Sequence, residues 1–366
     1  MVRDSAGVRI VEYAGVPDPE APFALTPEPV YRHGGTAGEY SFGFIGLGRL
    51  FADGRAALTD DANSEVVLLT PDGASHSLLA VAGQGPGEVG YVIGMYTLGR
   101  DSLVVLDRSN SRYNLFVNGS LARTESLADL QRNTSLWPQG IDATGGFLAA
   151  TSSYRSGFEE EWLQGHMARF NLETGVIDTV ASYDFIPGPG NPARGFGSVA
   201  VAAGRFVYTR SDKPEVTWLA AGGMVEQTLR WQAEPEHLTE EHLEPLEASL
   251  REGNRFANPQ APAEVIESMT QEDMARFRAD LGQPLPLFRS PFGDVEGRVW
   301  LPTHVPGGPR EGSPPYAAIS PDGEWLGRVD APPGLRILDV AHGLVLGVLK
   351  DDMDVESVVV YELISR

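Results

Sequence analysis

The chain of 366 residues is 42% apolar and carries 28 basic against 50 acidic side chains, for a net charge of −22. That excess of acid disfavours nucleic acid and anionic membrane surfaces as partners, because both are held by Lys and Arg neutralising phosphates. Cysteine is absent, which removes disulfides, thiolate chemistry and Cys-ligated zinc, and no stretch approaches the roughly 18 apolar residues of a membrane span.

The chain opens Met1-Val2-Arg3-Asp4 without an apolar signal segment. The expectation is a cytoplasmic protein, or a periplasmic or extracellular one if an export segment was removed before Val2. Phe23–Tyr31 then reads as a strand leading into the glycine turn Gly34–Glu39. Strand Ser77–Val81 leads in the same way into the turn Gly83–Glu88. The segment Asp60-Asp61-Ala62-Asn63 returns about 47 residues later as Asp107-Arg108-Ser109-Asn110, each followed by an apolar strand. A period in the forties with β-type segments and glycine turns is the signature of propeller blades.

Five strand-and-turn hairpins mark the third and fourth strands of successive blades. They are Val66–Leu69 before Pro71-Asp72-Gly73, Tyr113–Val117 before Asn118-Gly119, Met167–Leu172 before Glu173-Thr174-Gly175, Val216–Ala220 before Gly222-Gly223, and Tyr316–Ser320 before Pro321-Asp322-Gly323. A sixth third strand, Ser357–Leu363, runs into the C-terminus with no partner after it. Phe23–Tyr31 stands in the missing fourth-strand position, so the ring is expected to close by pairing the two ends of the chain. The gap between Gly222 and Gly323 is about one blade too long. Leu238–Glu252 and Ala263–Leu281 inside it have helical spacing, with Thr239 and Thr270 as caps. The fold class is therefore an all-β, six-bladed β-propeller forming one domain over 1–366, with N/C-terminal strand closure. A small helical insertion at 236–281, between blades 4 and 5, serves either as a solvated brace on the ring edge or as a lid over one mouth.

The stretch Gly83–Phe116, with its Gly-x-Gly-x-Gly turn, the strand Asp101–Arg108 and Asn110-x-Arg112, resembles the NHL repeat. The whole chain resembles bacterial six-bladed β-propeller proteins of unknown function. Asp4–Glu12, Gly85-Pro86-Gly87-Glu88, Pro321–Val329 and the C-terminal Leu346–Tyr361 region carry that likeness. The resemblance implies an architecture and leaves the activity open.

Asp107, Asn110 and Arg112 crowd polar groups into six residues, but Asp60 and Asn63 recur at the same blade position. A feature repeated around a ring is expected to brace turns. The Gly83-x-Gly85-x-Gly87 loop lacks the helix and the Lys-Ser/Thr of a phosphate loop, and neither a Gly-x-Ser-x-Gly elbow nor a His-Glu-x-x-His helix occurs. Asp352-x-Asp354-x-Glu356 offers oxygen ligands for Ca²⁺ but lacks the glycine and distal glutamate of an EF-hand. No cofactor is expected beyond that Ca²⁺ candidate.

Sorting the basic residues by blade places Arg108, Arg155, Arg210 and Arg289 in loops that open on one mouth, with Tyr154 and Trp137 beside them. These six are the candidate ligand-binding rim: a local positive funnel in a negative protein, or else arginines paired with the aspartates of the same loops. The expected function is a non-catalytic binding propeller presenting this rim to an anionic small molecule, a saccharide or a protein partner. The alternative is a metal-dependent, lactonase-type hydrolase using the central channel. The expected inner strands, Phe44–Leu50, Ile93–Leu98, Leu136–Ile141, Gly195–Val199, Phe288–Gly293 and Leu335–Val340, supply only Gln139 and Asp339 as oxygen donors beyond hydroxyls.

Overall fold

The computed structural model describes residues 1–17, 22–35, 40–127, 136–142, 144–151, 162–171, 174–186, 195–258, 260–307, 315–351 and 353–366. After an N-terminal hairpin, β1 (Val2–Ser5) and β2 (Val8–Glu12), come β3 (Phe23–Leu25) and β4 (Tyr31–Gly34). The first blade is β5 (Ile45–Leu50), β6 (Ala56–Asp60), β7 (Glu65–Leu69) and β8 (His76–Ala80). The second is β9 (Val92–Leu98), β10 (Ser102–Asp107), β11 (Arg112–Val117) and β12 (Ser120–Ser126). The third is β13 (Leu136–Ile141), β14 (Phe147–Thr151), β15 (Leu163–Phe170) and β16 (Ile177–Phe185). The fourth is β17 (Gly197–Ala202), β18 (Arg205–Arg210), β19 (Glu215–Leu219) and β20 (Val225–Arg230). Two helices follow, α1 (Leu243–Ala257) and α2 (Ala263–Ala279), before the fifth blade, β21 (Phe292–Gly293), β22 (Val299–Pro302), β23 (Tyr316–Ile319) and β24 (Trp325–Val329). The sixth is β25 (Arg336–Ala341), β26 (Leu344–Lys350) and β27 (Glu356–Ser365), completed by β3 and β4.

The ring closes as expected, with the fourth-strand position filled in two pieces. Ser357–Val360 pairs antiparallel with Tyr31–Gly34, and Leu363–Ser365 with Phe23–Leu25. The N-terminal hairpin was not placed by the sequence. It extends blade four to six strands, with β2 parallel to β20, and so covers an edge that would otherwise be open.

The core is a ring of wedges, one at each blade junction. Most second strands are buried on both faces and read as largely apolar runs, as doubly covered strands do. Within Leu103-Val104-Val105-Leu106, Leu103 and Val105 pack toward blade one, while Val104 and Leu106 pack toward blade three. The period of two along a strand thus sends alternate side chains to different neighbours. In five blades the pairing of third and fourth strands slips by one residue, for example between Leu115 and Phe116. Such bulges add the local twist each blade needs.

The helices lie between blades four and five, as the long Gly222-to-Gly323 gap predicts. Their small core joins Leu238, Leu246, Met274, Phe277 and Leu285. Two details of the helical expectation need correction. The first helix starts at Leu243 rather than Leu238, with Pro245 in its first turn, where a missing N–H costs nothing. Thr270 is not a cap; it is buried within α2, where its hydroxyl donates to the Ile266 carbonyl at 2.8 Å. Among the described residues no helix is long and apolar enough to cross a membrane.

Candidate functional site in the central channel

The six inner strands converge on the ring axis. Glycines allow the approach: a Cβ on Gly140 of β13 would stand 2.5 Å from that of Val201 on β17. What remains between them is a cavity of about 680 Å³, walled by residues from all six inner strands, a volume typical of small-molecule sites. It runs from Trp137, at the start of β13, to the turns at Gly99, Asp142, Gly204 and Asp294, where first strands turn into second strands.

Among the described residues, one cation enters this cavity. Arg49 of β5 is half-buried, and its Nη1 donates to the carbonyls of Gly48 at 2.7 Å and Leu338 at 3.4 Å. The guanidinium carbon sits 5.7 Å from the centre of the Tyr96 ring, a cation–π arrangement. Tyr96 in turn donates its hydroxyl to the Pro138 carbonyl at 2.8 Å. Burial pushes the Tyr96 phenol up to about 12, against the pull of Arg49, so it stays a neutral donor. Nη2 and Nε of Arg49 have no protein partner among the described residues, and Arg49 forms no ion pair there.

Asp339 of β25 faces the same space and accepts the Leu50 N–H at 2.8 Å. Burial raises its carboxyl above the ordinary range, and the nearby Arg49 only partly offsets this. The other two lining carboxylates are consumed by turns. Asp142 accepts the N–H groups of Thr144 and Gly146 and the Arg169 side chain. Burial pushes its carboxyl up, but the bonds from Arg169, Thr144 and Gly146 together hold it below its usual value. Asp294 accepts from the Arg298 backbone and side chain and from Trp300 Nε1 at 2.9 Å. Burial dominates there and raises the Asp294 carboxyl despite Arg298.

Among the predicted rim residues, the structure brings two together. Arg108, exposed after β10, lies 4.9 Å over the ring of Trp137, which borders the cavity. Arg210 lies 3.8 Å over Trp162 and is paired with Asp212 at 2.7 Å and Asp184 at 3.1 Å. Arg289 is exposed, and its backbone N–H donates to the Pro302 carbonyl at 2.8 Å. Arg155 and Tyr154 lie outside the described residues.

The polar cluster on blades one and two is a brace. Asp60 accepts the N–H of Gly43 and the amide of Asn63, while Asp107 accepts from Tyr91 and from Asn110. Arg112 donates to the carbonyls of Gln84, Gly85 and Glu88 and so clamps the glycine turn. In the acidic segment near the C-terminus, Asp352 lies outside the described residues. Glu356 points into the blade junction, where it accepts the Ile45 N–H. Among the described residues no three His, Asp or Glu side chains come together as a metal-holding group.

Sequence reasoning passed over Arg49. The available signal was a single cation in Ile45-Gly46-Leu47-Gly48-Arg49-Leu50, an otherwise uncharged inner strand. An arginine there must either pair across the channel or face it.

Six β-sheet blades around a channel define a six-bladed β-propeller. No protein-family model matches the chain, and no curated protein matches it in sequence. Solved structures do match its fold. A protein of Bacteroides fragilis described as "Putative exported protein" aligns with TM-score 0.55 at 10% identity, over 97% of this chain and 99% of its own. A member of the duf4221 family from Bacteroides vulgatus aligns with TM-score 0.54 at 11% identity, over 95% of this chain and 100% of its own. Likeness at such identities is a likeness of fold.

Proposed function

We propose that the protein is a non-catalytic binding propeller that takes a small anion into its central channel, with Arg49 as the counter-charge. The observation that carries this reading is the Arg49 guanidinium, which keeps its charge when half-buried and leaves Nη2 and Nε without a protein partner beside a cavity of about 680 Å³. Those two N–H groups form a fork suited to a carboxylate or a comparable oxyanion. Arg108, stacked on Trp137 at the rim, adds positive potential on the way in. A saccharide or a protein partner would use the same rim, but a cation set deep in the channel favours a small anion.

The alternative, a hydrolase holding a metal in the channel, would rely on Gln139 and Asp339 as oxygen donors. Both line the cavity. The Gln139 amide nitrogen donates to the Trp137 carbonyl, which leaves its oxygen free, but Asp339 takes the Leu50 N–H and has Arg49 close by. Two protein oxygens beside a guanidinium make a sparse set for a hard cation such as Ca²⁺, which takes six to eight oxygen ligands, and this favours the anion reading. Export from the cytoplasm belongs to the same proposal, since the Bacteroides fragilis neighbour carries "exported" in its description; cell fractionation tests it.

The function is tested by titrating acetate, sulfate and phosphate against chloride at matched ionic strength while following thermal unfolding. A specific anion should raise Tm saturably, by about 2.7 kcal/mol of stabilisation near a hundredfold excess over Kd. Arg49→Met should lose that response. The same response in the variant and the parent would overturn the proposal.

A further inference from the structure

Resting on that reading, the polar groups left around Arg49 indicate what the ligand carries besides its anionic end. We infer that it is a zwitterionic amino acid, with its carboxylate on the Nη2 and Nε edge of Arg49 and its ammonium on Asp339.

Two of the three lining carboxylates already have counter-charges, since Asp142 is ion-paired with Arg169 and Asp294 with Arg298. One cation and one carboxyl group remain. Arg49 of blade one and Asp339 of the adjacent blade six face the same cavity, and Arg49 is near enough to pull on the Asp339 carboxyl. Among the described residues, however, the two form no ion pair. A buried charge without a counter-charge is costly. Burial, with Asp294 nearby, raises the Asp339 carboxyl, and Arg49 only partly offsets this; an ammonium beside it would supply the missing positive charge.

The unspent hydrogen-bonding groups on the wall mostly accept. Asp339 takes the N–H groups of Leu50, at 2.8 Å, and of Val340. A carboxylate has about four acceptor sites, so room remains for further donors. Gln139 donates its amide nitrogen to the Trp137 carbonyl at 3.2 Å, which leaves Oε1 as an acceptor. The Thr97 hydroxyl also lines the cavity and has no protein partner among the described residues. Gln139 is the extra residue of a β-bulge in β13, and Asp339 follows another in β25. Bulges re-aim side chains, and both of these residues border the channel. Beyond the edge of Arg49, then, the wall needs N–H or O–H groups from its ligand. An ammonium brings three donors together with the charge that Asp339 lacks, whereas a hydroxyl brings one donor and no charge.

The experiment is calorimetric titration of the full-length protein with two ligand sets that differ only at the α-carbon. One is alanine, lactate and propionate; the other is leucine, 2-hydroxy-4-methylpentanoate and 4-methylpentanoate. Parent, Arg49→Met and Asp339→Asn are compared. Circular dichroism melts establish that the variants are folded, and the ligand series on the parent stands without them. The expected result is an amino acid binding at least about ten-fold tighter than its hydroxy and unsubstituted counterparts. Asp339→Asn should remove that preference and keep carboxylate binding, while Arg49→Met should remove binding altogether. A hydroxy or unsubstituted acid binding as tightly as the amino acid, or a preference that survives Asp339→Asn, would overturn this inference; if the binding still requires Arg49, the channel-anion function stands. Binding of none of the six in an Arg49-dependent way would overturn both.

Discussion

The buried carboxylate of Glu356, at the start of β27, accepts the backbone N–H of Ile45, at the start of β5, at a distance of 2.6 Å. The two residues are 311 positions apart in the chain. The bond joins blade six to blade one beside the closure, and Arg336 adds a donor to the other Glu356 oxygen at 3.4 Å.

Truncation of that side chain leaves the Ile45 N–H buried and unpaired. Glu356→Ala should cost about 1.5–3 kcal/mol, the usual worth of a hydrogen bond to a charged group. Glu356→Gln keeps an acceptor and should recover much of the loss. Urea unfolding midpoints measure both; equal midpoints for Ala and parent would show that the junction does not lean on this bond.

Removal of residues after Val355 takes away β27, which is hydrogen-bonded to β26 on one side and to β3 and β4 on the other. The loss strips Val358, Val359, Val360 and Tyr361 from two blade junctions at once and exposes strand edges. Cooperative unfolding should disappear. A truncated protein melting sharply at the parent temperature would contradict closure through the chain ends.

The helical insertion leaves and rejoins the ring through adjacent points. Leu238 N–H donates to the Gln283 carbonyl at 2.9 Å, and Leu285 N–H to the Glu236 carbonyl at 2.7 Å. Replacing 238–283 by a short Gly-Ser linker should therefore keep the ring folded, since the six junction cores contain none of these residues. Near-ultraviolet circular dichroism and a cooperative melt check this, and insoluble product would show that the helices support the ring. Gly307 is the contact to watch: it has φ +73° and packs directly on the Pro245 backbone. Gly307→Ala should destabilise the parent, by strain and by clash, more than it destabilises the linker variant.

Asp339 provides a pH test. Its carboxyl is raised by burial, so the native state holds the proton more tightly than the unfolded chain. Stability contributed by this group is thus complete below the unfolded value near 3.9 and is lost as pH rises through the higher folded value. Asp339→Asn keeps the acceptor for the Leu50 N–H and removes the titration. The variant should gain stability relative to the parent as the pH rises above about 4. A difference that stays constant over that rise, in urea unfolding at matched ionic strength, would contradict a buried, titrating Asp339.

Blade count, closure and the place of the helices were all legible in the chain, because each rests on local patterning. The third strands expected at Tyr113–Val117 and Val216–Ala220 appear at Arg112–Val117 and Glu215–Leu219, since the alternation and the glycine turn sit within a few residues of one another. The braces at Asp60 and Asp107 were legible for the same reason, as each bonds within its own blade edge.

The channel was not legible. Arg49, on blade one, meets Leu338 and Asp339 of blade six and Tyr96 of blade two, and nothing in a strand's own sequence states what will face it across the ring axis. Rim arginines expected to act together differ likewise in what lies beside them: Arg210 has Asp184 and Asp212, while Arg108 has Trp137. Sequence periodicity determined which elements form and in what order they pack, because burial repeats with the backbone. Only closure of the ring decided which cation would face the cavity, because that depends on distances between residues as far apart in the chain as Arg49 and Asp339.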